Sequence, residues 1–353
     1  MLNVALVGCG RIAQRHAQLL SESQIEGARL VAVCDIVPER AEALAEKTDV
    51  PAYTDMSEML EKHRPELAVI LTESGNHAAH AITAAKHGAH VMVEKPMALT
   101  LADADEMIET CDREGVKLFV IKQNRFNRPV VKLREALEAG RFGKLIMGTV
   151  RVRWCRPQSY YDQAPWRGTW ALDGGVLTNQ ASHHVDLLEW MMGDVESVVG
   201  MTRTALADIE AEDTAAVLLR FASGALGIIE ATTATRPKDL EGSLSVLGES
   251  GSVEIGGFAV NQMKTWQFVH DEPGDDEVFE KYSVNPPDVY GFGHRAYYDH
   301  VVAALRHGGP NLVDGIEGRR SLELITAIYE AVETGQEVRL RFRPRRARLG
   351  MRA

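Results

Sequence analysis

Six residues near the start constrain this chain most: Gly8-Cys9-Gly10-Arg11-Ile12-Ala13, directly behind a short apolar run at 3–7. The spacing is G-x-G-x-x-G/A. Gly8 permits a tight turn, Gly10 lets the backbone approach a pyrophosphate, and small Ala13 allows close packing of helix on sheet. A helix opening at Arg11 and Ile12 offers N–H groups and a partial positive charge to phosphates. The next apolar run ends at Asp35, where a carboxylate suits a ribose with a free 2′-hydroxyl. Ile36 and Val37 supply no cation for a 2′-phosphate, and Arg40 reads as solvent-facing. The expected cofactor is therefore NAD, with Gly8, Gly10, Arg11, Ile12 and Asp35 as its first contacts.

Apolar runs at 3–7, 30–34, 67–71, 90–93 and 117–121 are each too short for a helix and end in polar or turn residues. Helical stretches separate them: one from Pro38, one over 77–87 closed by Gly88, one over 101–114 closed by Gly115. That alternation predicts a parallel sheet covered by helices on both faces. After about residue 122 the rhythm changes. A helix is expected over 130–139, then an alternating strand over 146–154. Further strand-like runs lie at 197–206, 214–221, 226–233 and 244–255, with turns at Ser223-Gly224 and 249–251. Helices are expected over 175–192, 295–306 and 319–333. The fold class is an α/β Rossmann domain (1–121), then an α+β domain with a large, mostly antiparallel open sheet (122–338) and a basic tail (339–353).

Charge and cysteine usage narrow the function. Thirty-nine basic and 50 acidic residues leave a formal charge of −11, against a nucleic-acid partner. Residues 339–353 hold seven arginines and no acid, and read as a solvated end or a contact with an acidic neighbouring subunit. No run approaches the ~20 apolar residues of a membrane span. The start lacks a charged region before its apolar run, so a secretory signal is not expected. The four cysteines form no CxxC pair, which suggests neither a disulfide framework nor a zinc site and fits a reducing cytoplasm. No metal is expected. An exposed open sheet favours a homo-oligomer, tetramer before dimer.

In a doubly wound sheet, ligands bind beyond the carboxyl ends of the strands. Thr72 and Asn76 are therefore expected at the cofactor, His77 capping or lining the site, and His80 packing a helix. The fourth run ends in Glu94-Lys95-Pro96. Lys95 would sit near the nicotinamide, where burial and nearby cations bring its pKa towards neutrality; the plainer reading is a lysine snorkelling to solvent. Gln123 and Asn124 follow the fifth run and can hydrogen-bond nicotinamide or sugar hydroxyls. On a helix over 175–192, Asn179, His183 and Asp186 share one face. A satisfied core histidine is the plainer reading of His183 and equally of His184. The HxxD spacing alone is not metal-specific.

Three motifs in order, GxGxxA at the start, EKP at 94–96 and GG-x3-N-x3-H-x2-D at 174–186, resemble the glucose–fructose oxidoreductase/inositol dehydrogenase (Gfo/Idh/MocA) family over nearly the whole chain. The resemblance implies a Rossmann domain plus a sheet domain often used for oligomerisation, with Lys95 and His183 lining the catalytic centre. Many members carry Asp where Asn179 stands. Asn cannot serve as a carboxylate base, which leaves His183 and Lys95 as acid/base candidates beside Asn179.

Residues 123–188, and VYGFGHRAYYDH further on, are similar to bacterial UDP-N-acetyl-2-amino-2-deoxyglucuronate dehydrogenases. That likeness implies oxidation of the C3 hydroxyl of UDP-N-acetylglucosaminuronic acid to a ketone, for surface polysaccharide (O-antigen/LPS). Such a UDP-sugar uronic acid needs cations for its carboxylate and diphosphate, and Arg125, Arg153, Arg156 and Arg167 are available. Arg151 and Arg153 read equally as surface charges. Tyr160, Tyr161 and Trp166 offer aromatic surface with polar tips, and Tyr290 is expected near the uridine. Lys95, Asn124, Asn179 and His183 complete the expected substrate contacts. The alternatives are an NAD-dependent dehydrogenase of a free polyol such as an inositol, an NAD-dependent glycosidase, or a non-catalytic ligand sensor.

Overall fold

Strand and helix alternate through the first third of the chain, so its strands run parallel. The computed structural model describes residues 1–22, 24–283, 293–309 and 312–340; Tyr290 and the chain beyond Leu340 lie outside the described residues. The elements are β1 (Leu2–Val7), α1 (Arg11–Ser21), β2 (Ala28–Cys34), α2 (Pro38–Thr48), β3 (Ala52–Tyr53), α3 (Met56–His63), β4 (Leu67–Ile70), α4 (His77–Lys86), β5 (His90–Val93), α5 (Leu101–Glu114) and β6 (Leu118–Val120). They form one parallel sheet in the order β3-β2-β1-β4-β5-β6. Val4–Leu6, all of β4 and Val91–Val93 are at most 1% exposed, as strands covered on both faces must be. The order reverses between β1 and β4, and the crevice beyond their carboxyl ends is where such sheets bind ligands.

The sequence reading missed β3 and α3, so its fifth strand is the sixth. A two-residue strand carries no periodicity. Helix α3 is announced by a cap, Asp55, whose Oδ1 accepts the Glu58 N–H at 2.9 Å.

The second half adds α6 (Arg128–Glu138), β7 (Leu145–Arg153), α7 (Gln158–Tyr161), α8 (Ser182–Met192), β8 (Val195–Arg203), β9 (Thr214–Phe221), β10 (Leu226–Thr232), β11 (Glu241–Gly248), β12 (Gly251–Gly256), β13 (Gln262–Phe268), α9 (Val278–Lys281), α10 (Gly293–His307), α11 (Gly315–Thr334) and β14 (Val338–Arg339). Eight strands form a sheet ordered β13-β12-β11-β7-β10-β9-β8-β14. Among the described strands of this second sheet, only the β7–β10 pair is parallel. Helix α8 lies against β7 at Gly148, where a Cβ would meet Met192 Cγ at 2.6 Å. The opposite face leaves Met201 79% and Leu218 57% exposed.

Three expectations need correcting. The run 244–255 is two strands, β11 and β12, parted by its turn. The first two residues of the expected tail, 339–353, are joined to the sheet: Arg339 pairs with Ser197 on β8 and the Leu340 N–H donates to Glu196 O. And the helix expected over 175–192 starts only at Ser182. Gly174 sits at φ +82, and a Cβ on Gly175 would meet Glu212 Oε2 at 2.0 Å. The N–H groups of Val176 and Leu177 bond to Glu212 instead of opening a helix. Asn179 therefore lies in a turn before α8, not one helical turn below His183.

The chain also returns to its beginning. Tyr297, Tyr298 and Val301 of α10 are buried in the core of the first sheet, and Val313 O accepts the Val120 N–H at the edge of β6. Among the described residues, no helix is long and apolar enough to cross a membrane.

Candidate active site

The glycines of the first turn do different work. Gly8 has φ +95, and a Cβ there would lie 2.8 Å from the Leu71 main chain, so Gly8 serves the fold. A Cβ on Gly10 would meet nothing within 4 Å: the space above it is open. Gly10 also caps α1 without a side-chain hydrogen bond, and no acid stands in the first turn. The helix thus presents free N–H groups to a phosphate. Asp35 accepts the Cys9 N–H at 2.8 Å and the Val37 N–H at 2.9 Å, fixing a carboxylate at the end of β2. Ile36 is 83% exposed and Arg40 is exposed, so no cation is held there for a 2′-phosphate. These residues fit NAD. Burial pushes the Cys9 thiol up to about 12, which makes it inert.

Beyond β4, Thr72 Oγ1 lies 3.0 Å from His80 Nδ1, and the Asn76 amide donates to Glu73. His77, expected to face the ligand, is instead a buried clamp. Its Nδ1 lies 2.7 Å from Pro96 O and its Nε2 3.0 Å from Thr72 O, tying the ends of β4 and β5 together. The Lys95–Pro96 peptide is cis.

Glu94 is 7% exposed and anchored by residues the sequence reading did not connect to it. His16 Nε2 and His294 Nε2 lie 3.3 and 3.6 Å from its Oε1, and Tyr298 Oη lies 2.8 Å from His16 Nδ1. Burial alone would raise this carboxyl, but the two histidines outweigh it and hold it well below the usual carboxylate range. The ligating atoms of His16, Glu94 and His294 lie within 4.8 Å of one another, with the His16 ring in hydrogen-bond reach of the carboxylate and the His294 ring just outside it at 3.6 Å. Nothing short of the folded chain marks His16 or His294, which come from opposite ends of the sequence.

Lys95 and His183 come together across the two halves. Lys95 Nζ donates to the Asn179 main-chain carbonyl at 2.9 Å. Burial lowers the Lys95 pKa; Lys122 and Arg167 push the same way, against Glu94 and Asp173. His183, on the first turn of α8, is 9% exposed, and neither ring nitrogen has a hydrogen-bond partner among the described residues. Burial, then the charges of Lys95 and Lys122, hold its pKa well below the usual value, so the ring is neutral at pH 7. Gln123 Oε1 is buried and likewise without a partner, and Asn124 is partly exposed on the same turn. The orphaned polar atoms of His183, beside Lys95, and of Gln123 call for a polar ligand. His184 also lacks partners, but it sits against Trp154, and burial brings it down to about 4.

The expected substrate residues divide. Arg125 is 4% exposed and directs its guanidinium to Asp186, with Nε–Oδ2 and Nη2–Oδ1 both 2.8 Å, and to Glu317 at 3.1 Å. Tyr161 is buried with its hydroxyl 2.9 Å from Thr233 Oγ1, its pKa pushed up to about 12 by burial. Both hold the fold rather than face the cleft. Arg153 pairs with Glu230 and Glu241 on the open sheet face. Arg156 bonds Asp239 at 3.0 Å and lies over Trp154 and Tyr160. Arg167 lies over Tyr160 at 4.4 Å and Trp166 at 4.7 Å, with its buried Nε unpartnered. Two polar residues at the centre were missed, Lys122 and Asp173. Their signals are only their positions, one before Gln123 and one before Gly174-Gly175.

Comparison with known proteins identifies the two halves of the chain. Residues 2–122 match the Gfo/Idh/MocA model described as oxidoreductase family, NAD-binding Rossmann fold. Residues 134–340 match the model of its C-terminal alpha/beta domain. The WlbA dehydrogenase of Chromobacterium violaceum, crystallised with NADH and UDP-GlcNAcA, is 43% identical, with a TM-score of 0.91 over 97% of each chain. The WlbA dehydrogenase of Bordetella pertussis, in complex with the same two molecules, is also 43% identical, with a TM-score of 0.89 over 97% of this chain and 99% of its own. A myo-inositol 2-dehydrogenase of Thermotoga maritima is 30% identical over 96% of this chain and 98% of its own length.

Proposed function

This chain belongs to the Gfo/Idh/MocA oxidoreductase family and is an NAD-dependent dehydrogenase, and on that premise we propose that it oxidises the C3 hydroxyl of UDP-N-acetylglucosaminuronic acid to the 3-keto sugar. The observation that carries the substrate is Arg167. Its guanidinium lies over two aromatic rings and leaves a buried Nε without a partner, a site for a carboxylate or phosphate oxygen. A free inositol has no such oxygen. The higher identity to the two enzymes crystallised with UDP-GlcNAcA supports the same choice over the inositol enzyme.

Bound NAD supplies the acceptor for the hydride that leaves C3. The neutral His183 ring takes the hydroxyl proton, and the Lys95 ammonium donates a hydrogen bond to the developing alkoxide. Gln123 and Asn124 orient nicotinamide or sugar, while Thr72 and Asn76 border the cofactor beyond β4. Arg156, Tyr160 and Trp166 wall the anionic part of the substrate. The enzyme works in the cytoplasm as a homo-oligomer, and its ketone product suits amination at C3 for surface polysaccharide.

The test mixes protein, NAD and UDP-N-acetylglucosaminuronic acid, follows NADH fluorescence and identifies the product by mass spectrometry. NADH with a product lacking two hydrogens is expected. NADH from free myo-inositol but not from the UDP-sugar would overturn the substrate, and glycoside cleavage without net NADH would overturn the reaction.

A further inference from the structure

Asn179 brings an amide to the centre but no charge; a carboxylate stands beside it. Asp173 precedes Gly174-Gly175 and is 2% exposed. Its Oδ1 accepts from the Asn179 side-chain amide, and its Oδ2 accepts the Gly168 N–H at 2.8 Å. Asn179 in turn presents its main-chain carbonyl to Lys95 Nζ at 2.9 Å, a carbonyl that also accepts from Ser182 Oγ at 3.2 Å. A chain of contacts thus runs from Asp173 through Asn179 to the lysine.

A turn needs acceptors, not charge. Burying a carboxylate is costly, and a neutral group of the same shape would hold the two N–H donors with less penalty. The charge is useful where a neighbouring cation has to stay a cation. Burial raises the Asp173 carboxyl, and the Gly168 and Asn179 hydrogen bonds and the charges of Lys95 and Arg167 act against that rise; Lys95 is the neighbour whose charge can be lost.

We propose that Asp173 is a positioning residue that supplies the charge Asn179 lacks: it fixes Asn179, and through the Asn179 carbonyl and its own carboxylate it keeps the Lys95 ammonium charged and aimed at the reacting oxygen. The role rests on the reaction proposed for Lys95 above. The groups acting on Lys95 come from every side. Glu94 stands at the same strand end, Lys122 behind β6, His183 on α8, and Asp173 and Arg167 on the segment between α7 and α8. Glu94 already serves His16 and His294, and Asp186 serves Lys122 and Arg125. Of the two anions acting on Lys95, Glu94 is the stronger and is shared with two histidines; Asp173 is the second, and the one joined to Lys95 through Asn179.

The test compares Asp173→Asn with the double variant Asp173→Asn/Asn179→Asp, which moves the carboxylate across the hydrogen bond. The Lys95 amine is titrated by NMR in protein carrying isotope-labelled lysine, its resonance identified by its loss in Lys95→Arg. In Asp173→Asn the Lys95 midpoint should move to lower pH by about one unit. Above the new midpoint kcat should fall about tenfold, with KM changing less and NAD affinity unchanged. The double variant should restore the midpoint and most of kcat. An unmoved midpoint in Asp173→Asn overturns the proposal, as does a double variant no better than the single. If Asp173→Asn does not fold, the double variant decides alone: a wild-type midpoint supports the role and a lowered one overturns it. The titration needs no substrate, so failure to oxidise the UDP-sugar would sink the proposed reaction and still leave Asp173 answered.

Discussion

Arg125 and Asp186 form a two-pronged ion pair, both contacts 2.8 Å, that ties the turn after β6 to α8. It joins the two halves one turn of α8 after His183. Lys122 shares the same carboxylate at 3.4 Å. Arg125→Met removes one partner and leaves Asp186 undercompensated in the interior. The variant should lose about 3–5 kcal/mol of stability, read from the denaturant midpoint. A normal midpoint with a raised substrate KM would instead return Arg125 to the substrate.

The two glycines of the first turn should separate fold from function. Gly8→Ala forces a side chain onto the Leu71 backbone at positive φ, and should lower stability by roughly 1–3 kcal/mol. Gly10→Val points into open space, so the folded state should change by about 0.5 kcal/mol or less. Its NAD affinity should fall at least tenfold, about 1.4 kcal/mol, by fluorescence titration. The reverse pattern would put the pyrophosphate elsewhere.

Lys95→Ala and His183→Ala should each lower kcat by roughly 10²–10⁴ while NAD still binds. His183 must be neutral to take a proton, and its pKa lies well below the usual 6.5. The acid limb of kcat/KM should therefore fall below pH 6.5, with activity lost only as pH drops further. An acid limb above that value in wild type would contradict His183 as the base.

Glu212 makes a prediction about stability. Burial pushes its carboxyl from the ordinary 4.5 up to about 7. Between those values the native state holds a proton that the unfolded chain has released. The contribution is fully present below the unfolded value and is lost as pH rises towards about 7, with a slope of at most about 1.4 kcal/mol per pH unit. Glu212→Gln abolishes that titration, so its Tm should fall less than wild type between pH 5 and 8. Parallel losses in both proteins would show that Glu212 ionises alike in the folded and unfolded chain.

The open face of the second sheet should bind another copy. Val199, Leu218 and Ile228 stand opposite one another across β8, β9 and β10, an apolar row of the kind that marks interfaces. Leu218→Lys should shift the protein to monomer in light scattering with its Tm little changed. An unaltered mass would place the interface on another surface.

What could be read from the sequence follows from how far each cause reaches. Gly8, Gly10 and Ala13 act within one turn, so their spacing alone announced the cofactor site. Most strands of both sheets were legible because burial on one or two faces imposes a short-range pattern, but the two-residue β3 and β14 and the edge strand β13 were not read. Arg125 was misread because residue type says nothing about a partner 61 positions away. The start of α8 was misplaced because its turn answers to Glu212, a residue 35 positions beyond Leu177. Asp173 was missed because a lone carboxylate in a turn looks like any other until its neighbours are folded around it.

His16 and Tyr298 meet although they lie 282 positions apart, and their contact supports Glu94 beside Lys95, the lysine proposed to act on the substrate. A ribosome adding roughly 5–20 residues per second releases the dinucleotide-binding strands long before the tyrosine that completes their active edge. Until α10 emerges, Glu94 lacks His294 and its second-layer support from Tyr298. The nascent sheet can assemble its glycine turn early, but its catalytic rim is finished among the last steps of biosynthesis, so a chain released short of α10 would carry a nucleotide cradle without a working centre.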